Sequence, residues 1–226
     1  MPKWTQRGAI LRIIPGLIAR GPLPEVMRGE ETQVAGALAG GPRAPTGSDT
    51  WIGLPGTHSK WVRVRDGRII QFHTFMTGEI FAALRSHTIL ARTMRPPATP
   101  DLAAFDRGVE VARSPHGRAG VLSTIFSTRT LGLTGALPAE AQADYLSGLL
   151  VGHEIAALAA VTAGVNGGIR APIGPVLVGS AELCERYRRA LVAFGHAPPT
   201  IASGATERGL WRVAHAAGLI SGGAAC

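Results

Sequence analysis

The amino-acid sequence predicts an α/β protein, and three patterns carry that prediction. Residues 51–65 form two apolar strands around a turn that contains Gly, Thr, Ser and Lys. Glu30 and Glu31 precede the apolar residues 34–39, and two acidic residues in this position favour a helix start, because they face the positive end of its dipole. Residues 176–178 form a short buried strand that ends in a glycine directly before another helix. The 30 glycines of the chain agree with many tight turns between such elements.

The other elements follow from turn and capping residues. Asp66 and Gly67 predict a hairpin turn, after which residues 68–75 return as a third strand. Thr77 is typical of a helix N-cap, and its helix is expected to run to about residue 90. Gly, Pro and Ser cluster at residues 40–49, which predicts a division of the chain there. Further helices are predicted at residues 101–112, 139–161, 181–194 and 206–217.

Composition and cysteine content favour an enzyme of the cytoplasm. Hydrophobic residues make up 46% of the 226 positions, which is enough to bury the core of one or two domains. Cys184 and Cys226 do not form a disulfide framework, so a reducing compartment is expected. The longest apolar stretch, residues 146–165, is interrupted by His153 and Glu154 and falls short of the ~18 uncharged residues that a membrane helix needs. No membrane partner is therefore expected.

The net charge of +8 is weak support for a nucleic-acid partner. The basic residues are scattered, and only Arg186, Arg188 and Arg189 form a tight group. No aromatic-interleaved basic stripe, zinc-ligand spacing or helix-turn-helix pattern accompanies them, so no nucleic-acid partner is expected. The sequence also lacks a P-loop, and His153-Glu154 lacks the second His of a zincin helix.

The turn between the first two predicted strands has the residue types of a phosphate cradle. Gly56 allows backbone N–H groups to point into one concavity, while Thr57 and Ser59 supply hydroxyls. His58 lies between them and Lys60 adds an ammonium group, although strand alternation leaves the direction of Lys60 open. An ordinary three-stranded meander with a polar turn is the alternative interpretation.

An acidic helix start that precedes such a turn is also the arrangement of sugar kinases with the actin-like ATPase fold. The chain resembles the 2-dehydro-3-deoxygalactonokinase family of those kinases over nearly its whole length. The motifs that carry the resemblance are IIPGL at 13–17, VMRGEETQ at 26–33, LPGTHSKWV at 54–62, FMTGE at 75–79, SGLLVG at 147–152 and RVAHA at 212–216. No metal-ligand motif is among them.

The resemblance implies a two-lobed α/β fold. Residues 1–45 would be the remainder of an N-terminal substrate-binding lobe, 46–205 the C-terminal nucleotide-binding lobe, and 206–226 a helix that returns to the first lobe. Family members open with a β-hairpin that bears an Asp-x-Gly-Ser/Thr signature, and this sequence has none. We therefore expect the first β-hairpin of the N-terminal lobe to be missing. Residues 1–226 alone should then expose apolar side chains at 11–17, be poorly soluble, bind nucleotide weakly and transfer phosphoryl groups negligibly.

The resemblance also implies a reaction, in which the γ-phosphoryl group of ATP, with Mg2+, is transferred to the 6-hydroxyl of 2-dehydro-3-deoxy-D-galactonate in galactonate degradation. Glu30 is the expected catalytic base and Glu31 the alternative. One of these carboxylates would serve the hydroxyl while the other caps the helix or meets Mg2+ through water. Arg28 is suited to grip the sugar-acid carboxylate, with Thr32 as a second substrate contact.

The resemblance places the nucleotide at two glycine turns. Residues 56–60 would cradle its phosphates, and Gly179 and Ser180 would lie against the adenosine, because a glycine there lets a flat ligand approach the backbone. A second function stays open, since a chain without the first hairpin is also compatible with an inactive kinase-fold protein that binds sugar acid or nucleotide. The sequence leaves the sugar stereochemistry and the oligomeric state open, a homodimer included.

Overall fold

The computed structural model describes residues 11–40, 46–162 and 174–220, and its strands lie in two sheets. The strands are β1 (Leu17–Ala19), β2 (Glu25–Met27), β3 (Asp49–Leu54), β4 (Ser59–Arg65), β5 (Arg68–Phe75), β6 (Val176–Leu177) and β7 (Thr200–Ile201). The larger sheet has the order β5-β4-β3-β6-β7, in which β3, β4 and β5 form an antiparallel meander while β6 and β7 run parallel to β3. The smaller sheet is the antiparallel hairpin of β1 and β2, which the sequence did not predict.

Helices surround the larger sheet. They are α1 (Glu30–Gly40), α2 (Thr77–His87), α3 (Leu102–Arg113), α4 (Val121–Thr124), α5 (Ser127–Leu133), α6 (Gln142–Thr162), α7 (Ala181–Ala193) and α8 (Ala205–Ala216), with 3-10 helices at Ile89–Thr93 and Pro115–Ala119. The α/β prediction is therefore confirmed, and α1, α3, α6, α7 and α8 begin and end within a few residues of the predicted bounds. The short helices α4 and α5 were not predicted.

Local turn chemistry was predicted well, with one correction. Asp66 and Gly67 both have positive φ, 49° and 74°, as a tight hairpin turn between β4 and β5 requires. Thr77 is not the N-cap of α2, because Met76 holds that position and Thr77 is the first helical residue. The hydroxyl of Thr77 instead donates a hydrogen bond to the carboxylate of Glu154.

The larger sheet separates two cores. Its strands alternate, so that Trp51 and Trp61 face α3, α6 and α7, whereas Ile52 and Val62 face α1 and α8. In β6 the same alternation sends Leu177 to the first core. This three-layer arrangement buries both faces of the central strands and explains why their sequences are apolar with little polar interruption.

Helix α6 is the central helix of the first core. It is the one helix among the described residues that is long and apolar enough to cross a membrane by length and composition, and 61% of its most apolar window is buried inside the protein. It packs so closely on α3 that a Cβ at Gly148 would lie 1.9 Å from the carbonyl oxygen of Phe105. Its apolar character therefore serves helix–helix packing within the fold.

Helix α8 packs across α1, which brings the end of the described chain back to its beginning. Gly36 and Gly209 face each other at the crossing, and a Cβ on Gly209 would lie 1.9 Å from the carbonyl oxygen of Thr32. Arg208 Nε donates to the Gly36 carbonyl oxygen at 3.3 Å, and Gln33 Nε2 donates to Thr206 Oγ1 at 3.2 Å. The contact joins α8 to α1, while the return of this helix to a first lobe and the lobe bounds at 45 and 205 stay predictions.

Apolar side chains near the beginning of the described chain are exposed, as expected for residues 11–17. Leu11 is 63% and Ile13 76% exposed. The poor solubility expected from them stays a prediction. Some sequence predictions concern residues outside the described ranges, namely positions 41–45 of the predicted division at 40–49, and Cys226.

The α1–α8 crossing gives a stability prediction. Gly209→Ala should lower the free energy of unfolding by about 1–3 kcal/mol, because the new methyl group collides with backbone and separates the helices. This loss outweighs the gain of about 1 kcal/mol in helix propensity. Urea unfolding measures it, with the half-exposed Leu210→Ala as a neighbouring control that should change stability little. A Gly209→Ala variant as stable as the parent would contradict the close crossing.

Candidate active site

The two predicted glycine turns meet at one edge of the larger sheet. Strand β6 pairs in parallel with β3, with Ile52 opposite Val176, and the Val178 N–H donates to the Gly53 carbonyl oxygen at 2.9 Å. The carboxyl ends of parallel strands lie at the same edge, so the segments that follow them become neighbours. A Cβ on Gly179 would lie 3.4 Å from the carbonyl oxygen of Pro55, which shows how closely the turns approach.

A cleft of about 620 Å³ lies at this edge, and both turns line it. Gly56 contributes from the β3–β4 turn and Ser180 from the β6–α7 turn. The other walls are the first turns of α2, one side of α6 around Ser147, the first turns of α7, and the proline-rich segment 96–100. The volume and the mixture of apolar walls with a few polar groups are typical of a small-molecule site.

The β3–β4 turn is held from one side by the start of α2. Gly78 lies so close that a Cβ there would be 2.4 Å from the Gly56 carbonyl oxygen. The Glu79 N–H donates to the Thr57 carbonyl oxygen at 2.9 Å, and the Glu79 carboxylate pairs with the ring of His58. These contacts fix the backbone of the turn, which a phosphate cradle requires.

The five turn residues predicted to bind phosphate divide into two groups. Gly56 lines the cleft and the side chains of Thr57 and His58 are exposed beside it. Ser59 and Lys60 already belong to β4 and are buried, with Ser59 Oγ donating to the Phe75 carbonyl oxygen at 3.4 Å. Phosphate contact by Ser59 and Lys60 stays a prediction, and the hydrogen bonds that these side chains make within the protein do not favour it.

Lys60 connects the turn strand to the beginning of the chain. Its ammonium group donates to the Val26 carbonyl oxygen at 2.8 Å and to Thr74 Oγ1 at 2.7 Å. Val26 lies in β2, two positions before Arg28, so the buried lysine ties the segment that leads into α1 to the strand that follows the Gly56 turn. The structure therefore gives Lys60 a role in joining the two predicted halves of the site.

The start of α7 provides the second turn. Gly179 and Ser180 are exposed, and Ser180 is the N-cap of α7, with Oγ accepting from the Leu183 N–H at 3.4 Å. A helix N-terminus presents free N–H groups and a positive dipole end. Arg186 also lines the cleft and forms an ion pair with the buried carboxylate of Asp144, a residue that no sequence pattern indicated.

The predicted catalytic carboxylates lie at the first two positions of α1, as expected. Glu30 Oε2 accepts from the Arg28 N–H at 2.9 Å, and Glu31 Oε2 accepts from the Gly29 N–H at 2.8 Å. Both carboxylates therefore cap the loop before the helix, and each keeps a second oxygen. Glu31 Oε1 is buried without a hydrogen-bond partner.

The two predicted substrate contacts differ in exposure. Arg28 is exposed, so its guanidinium is available to a ligand. Thr32 is buried at the α1–α8 crossing, where its methyl group lies near Gly209. A substrate contact by Thr32 stays a prediction, and the hydroxyl rather than the methyl group would have to supply it.

Comparison with known proteins places the chain in one family. A family model described as 2-keto-3-deoxy-galactonokinase matches residues 3–213. A protein from Rhizobium meliloti, named a probable 2-dehydro-3-deoxygalactonokinase, is 42% identical over 189 residues, which cover 82% of this chain and 57% of that protein. The 2-dehydro-3-deoxygalactonokinase of Escherichia coli is 34% identical over 214 residues, covering 94% of this chain and 68% of that protein.

A solved structure agrees with these matches. The crystal structure of a candidate 2-dehydro-3-deoxygalactonokinase from Sinorhizobium meliloti superposes with a TM-score of 0.73 at 37% identity, over 89% of this chain and 64% of that chain. The chain thus spans 57% of the length of the Rhizobium meliloti relative.

The Gly56 turn can be tested directly. Gly56→Val should weaken ATP binding about tenfold or more without unfolding the protein, because the added side chain blocks backbone approach to the phosphates. The structure favours a folded variant, since an added Cβ would have only the His58 carbonyl oxygen nearby, at 3.7 Å, and Gly56 is not among the glycines with positive φ. A positive φ is therefore not the reason for glycine at position 56.

The matched control is Gly21→Val, which makes the same chemical change in the β1–β2 turn, where an added Cβ meets nothing within 4 Å. Calorimetry of Mg-ATP binding should show a change for the first variant alone. Equal ATP affinity in both variants would mean that this segment is an ordinary polar turn of the meander and does not bind phosphate.

Proposed function

The chain belongs to the 2-keto-3-deoxy-galactonokinase family, and we propose that it is a kinase that transfers the γ-phosphoryl group of ATP to the 6-hydroxyl of 2-dehydro-3-deoxy-D-galactonate. The observation that carries the proposal is the cleft at the β3–β6 edge, where two glycine turns from one sheet lie side by side. Such a cleft offers a phosphate end at Gly56 and a separate end for the base and ribose at Ser180.

The proposed fold is the two-lobed actin-like ATPase fold. Residues 1–45 belong to the first lobe, residues 46–205 to the nucleotide-binding lobe, and α8 is the crossing helix between them. The packing of α8 on α1 supports this division, as does the tie from Lys60 to the Val26 carbonyl. In this arrangement the sugar acid binds beside the start of α1 and the nucleotide binds in the cleft.

In the proposed reaction Glu30 accepts the proton of the 6-hydroxyl as its oxygen forms a bond to the γ-phosphorus. The bond from that phosphorus to the bridging oxygen of ADP breaks at the same time, and ADP leaves with the bond's electron pair. Arg28 holds the sugar-acid carboxylate and so orients the hydroxyl. Glu30 accepts a single backbone hydrogen bond through one oxygen, so its other oxygen is free for this role.

The side chains of this site suit Mg2+ only in the way that kinases usually bind it, with few ligands from the protein. No group of three or more metal-ligating side chains occurs within residues 11–40, 46–162 and 174–220. Mg2+ in such enzymes is bound mainly by substrate phosphates and water, with one or two carboxylates, and it neutralises charge on the transferred group. We assign Glu31 as the carboxylate that would hold the ion through water, and Glu79, which pairs with His58 beside the Gly56 turn, would be a second.

The proposed setting is the cytoplasm, where ATP and a reducing environment are both present. The small-molecule partners are ATP and the sugar acid, with no nucleic acid or membrane. A homodimer is the assembly that we would test first.

The activity can be measured with purified residues 1–226, Mg-ATP and the sugar acid. Because the chain spans 57% of a relative's length, the assay should be repeated with residues 1–226 fused behind an Asp-x-Gly-Ser/Thr hairpin taken from a longer family member. We expect negligible turnover and weak ATP binding for the first form, and formation of ADP and 6-phosphorylated product in equal amounts for the second.

The 6-deoxy sugar acid is the matched control, since it retains the carboxylate but offers no acceptor hydroxyl. ATP binding without product in both forms would favour the inactive binding protein. Product formed equally well from the 6-deoxy compound would place the transfer at another hydroxyl.

The assignment of the base gives a further prediction. Glu30→Gln should lower turnover by roughly 10² or more with little change in ATP affinity, because the amide keeps the hydrogen bond from the Arg28 N–H but accepts no proton. The measurement uses whichever form of the chain is active. Glu31→Gln is the comparison, since it preserves the bond from the Gly29 N–H in the same way and, at the carboxylate assigned to Mg2+ through water, should lower turnover less than Glu30→Gln does. A large loss of turnover for Glu31→Gln, with near-full activity for Glu30→Gln, would identify Glu31 as the base.

A further inference from the structure

A buried carboxylate lies behind the cleft, outside the residues assigned to the reaction. Glu154, on α6, is 3% exposed. Its Oε1 accepts from the Trp61 Nε1–H at 2.7 Å, and its Oε2 accepts from the Tyr187 hydroxyl at 2.7 Å and from the Thr77 hydroxyl. The three donors belong to β4, α7 and α2, so one side chain joins three separate elements to the central helix.

A carboxylate in this position is costly and needs these partners. Burial raises the pKa of Glu154 above its usual range, while the hydrogen bonds from Thr77, Trp61 and Tyr187 act in the opposite direction. An apolar side chain would fill the same volume in this core without that cost. The reason for a carboxylate at this position therefore lies in the elements that its hydrogen bonds hold in place.

The hydrogen bond from Thr77 connects Glu154 to the Gly56 turn, the segment that we propose binds phosphate. Thr77 is the first residue of α2 and lines the cleft. The next residue, Gly78, packs against the Gly56 carbonyl oxygen, and the Glu79 N–H donates to Thr57. No side chain caps the start of α2, so its first turn is anchored by the bond from the Thr77 hydroxyl to Glu154 and by the pair of Glu79 with His58.

We propose that Glu154 is a positioning residue for the nucleotide cleft: through Thr77 it fixes the start of α2, and α2 in turn fixes the Gly56 turn. As a statement about phosphate binding it rests on the proposed function. As a statement about the turn it stands on the hydrogen bonds alone. Glu154 does not line the cleft, whereas Thr77 and Tyr187, which both donate to it, do; its effect on the Gly56 turn is assigned to the path through Thr77 and Gly78.

The test compares three changes to one hydrogen-bonded group. Thr77→Val removes the hydroxyl and keeps the shape of the side chain, Glu154→Leu removes the acceptor, and the double variant removes both. Trp61→Phe is the matched control, because it takes a different donor from the same carboxylate and leaves Thr77 in place. Glu154→Gln is the conservative variant, since its amide can accept from Trp61 and donate to the two hydroxyls.

The first readout is amide hydrogen exchange of Glu79, whose N–H donates to Thr57. We expect Thr77→Val and Glu154→Leu each to speed this exchange about five- to tenfold, the effect of one lost hydrogen bond, with no further increase in the double variant. Trp61→Phe should lower global stability and leave the local exchange at Glu79 at the parent rate once global unfolding is subtracted. Glu154→Gln should restore most of the protection.

The second readout is the Kd of Mg-ATP beside the Kd of the sugar acid. ATP binding should weaken by about the factor seen in exchange, while sugar-acid binding stays unchanged. Additive effects of Thr77→Val and Glu154→Leu on the ATP Kd would mean that Thr77 meets the nucleotide independently, which would overturn the link. Unchanged exchange at Glu79 in the folded Thr77→Val variant would overturn it as well, even where Glu154→Leu fails to fold. A parent protein that binds no ATP would refute the proposed function, and the exchange result would still decide the role of Glu154.

Discussion

The parallel pairing of β3 with β6 is the contact on which the site depends. Strand β6 is only two residues long, so its position is set by packing as much as by its hydrogen bonds. A Cβ at Gly53 would lie 2.8 Å from both Leu177 and the Trp61 ring, which means that these two side chains occupy the surface that glycine leaves free. The absence of a side chain at Gly53 thus lets β6 come close, and the Gly56 and Gly179 turns then open into one cleft.

Close backbone approach through glycine recurs at three contacts of the helices around this sheet. Gly78 holds α2 against the turn, Gly148 holds α6 against α3, and Gly209 holds α8 against α1. Two buried polar side chains then join elements that glycine contacts alone do not: Glu154 links α6 to α2 and α7, and Lys60 links β4 to β2. Apolar packing gives the protein its stability. These directional hydrogen bonds determine the positions of the Gly56 turn and of the start of α1 relative to the two cores.

Much of the fold could be predicted from the sequence, because its signals are local. The Asp66-Gly67 turn, the acidic start of α1 and the periodicity of the long helices depend on nearby residues alone. The direction of Lys60, the true cap of α2 and the partners of Glu154 depend on residues far apart in the chain, and no local pattern encodes them. One signal was available: Gly78 stands in the first turn of a helix, where glycine is unfavourable, and such a glycine indicates close packing against a neighbour.

Whether the Gly56 and Gly179 turns form one nucleotide site is tested most directly by a crystal structure of the chain with Mg2+ and a non-hydrolysable ATP analogue. We predict phosphate oxygens within hydrogen-bonding distance of backbone N–H groups of the Gly56 turn, and the adenosine against Gly179 and Ser180. A nucleotide bound elsewhere, such as the open groove between α3 and α7 around Asp106 and Arg188, would contradict it. So would a nucleotide in the cleft with its phosphates turned away from Gly56.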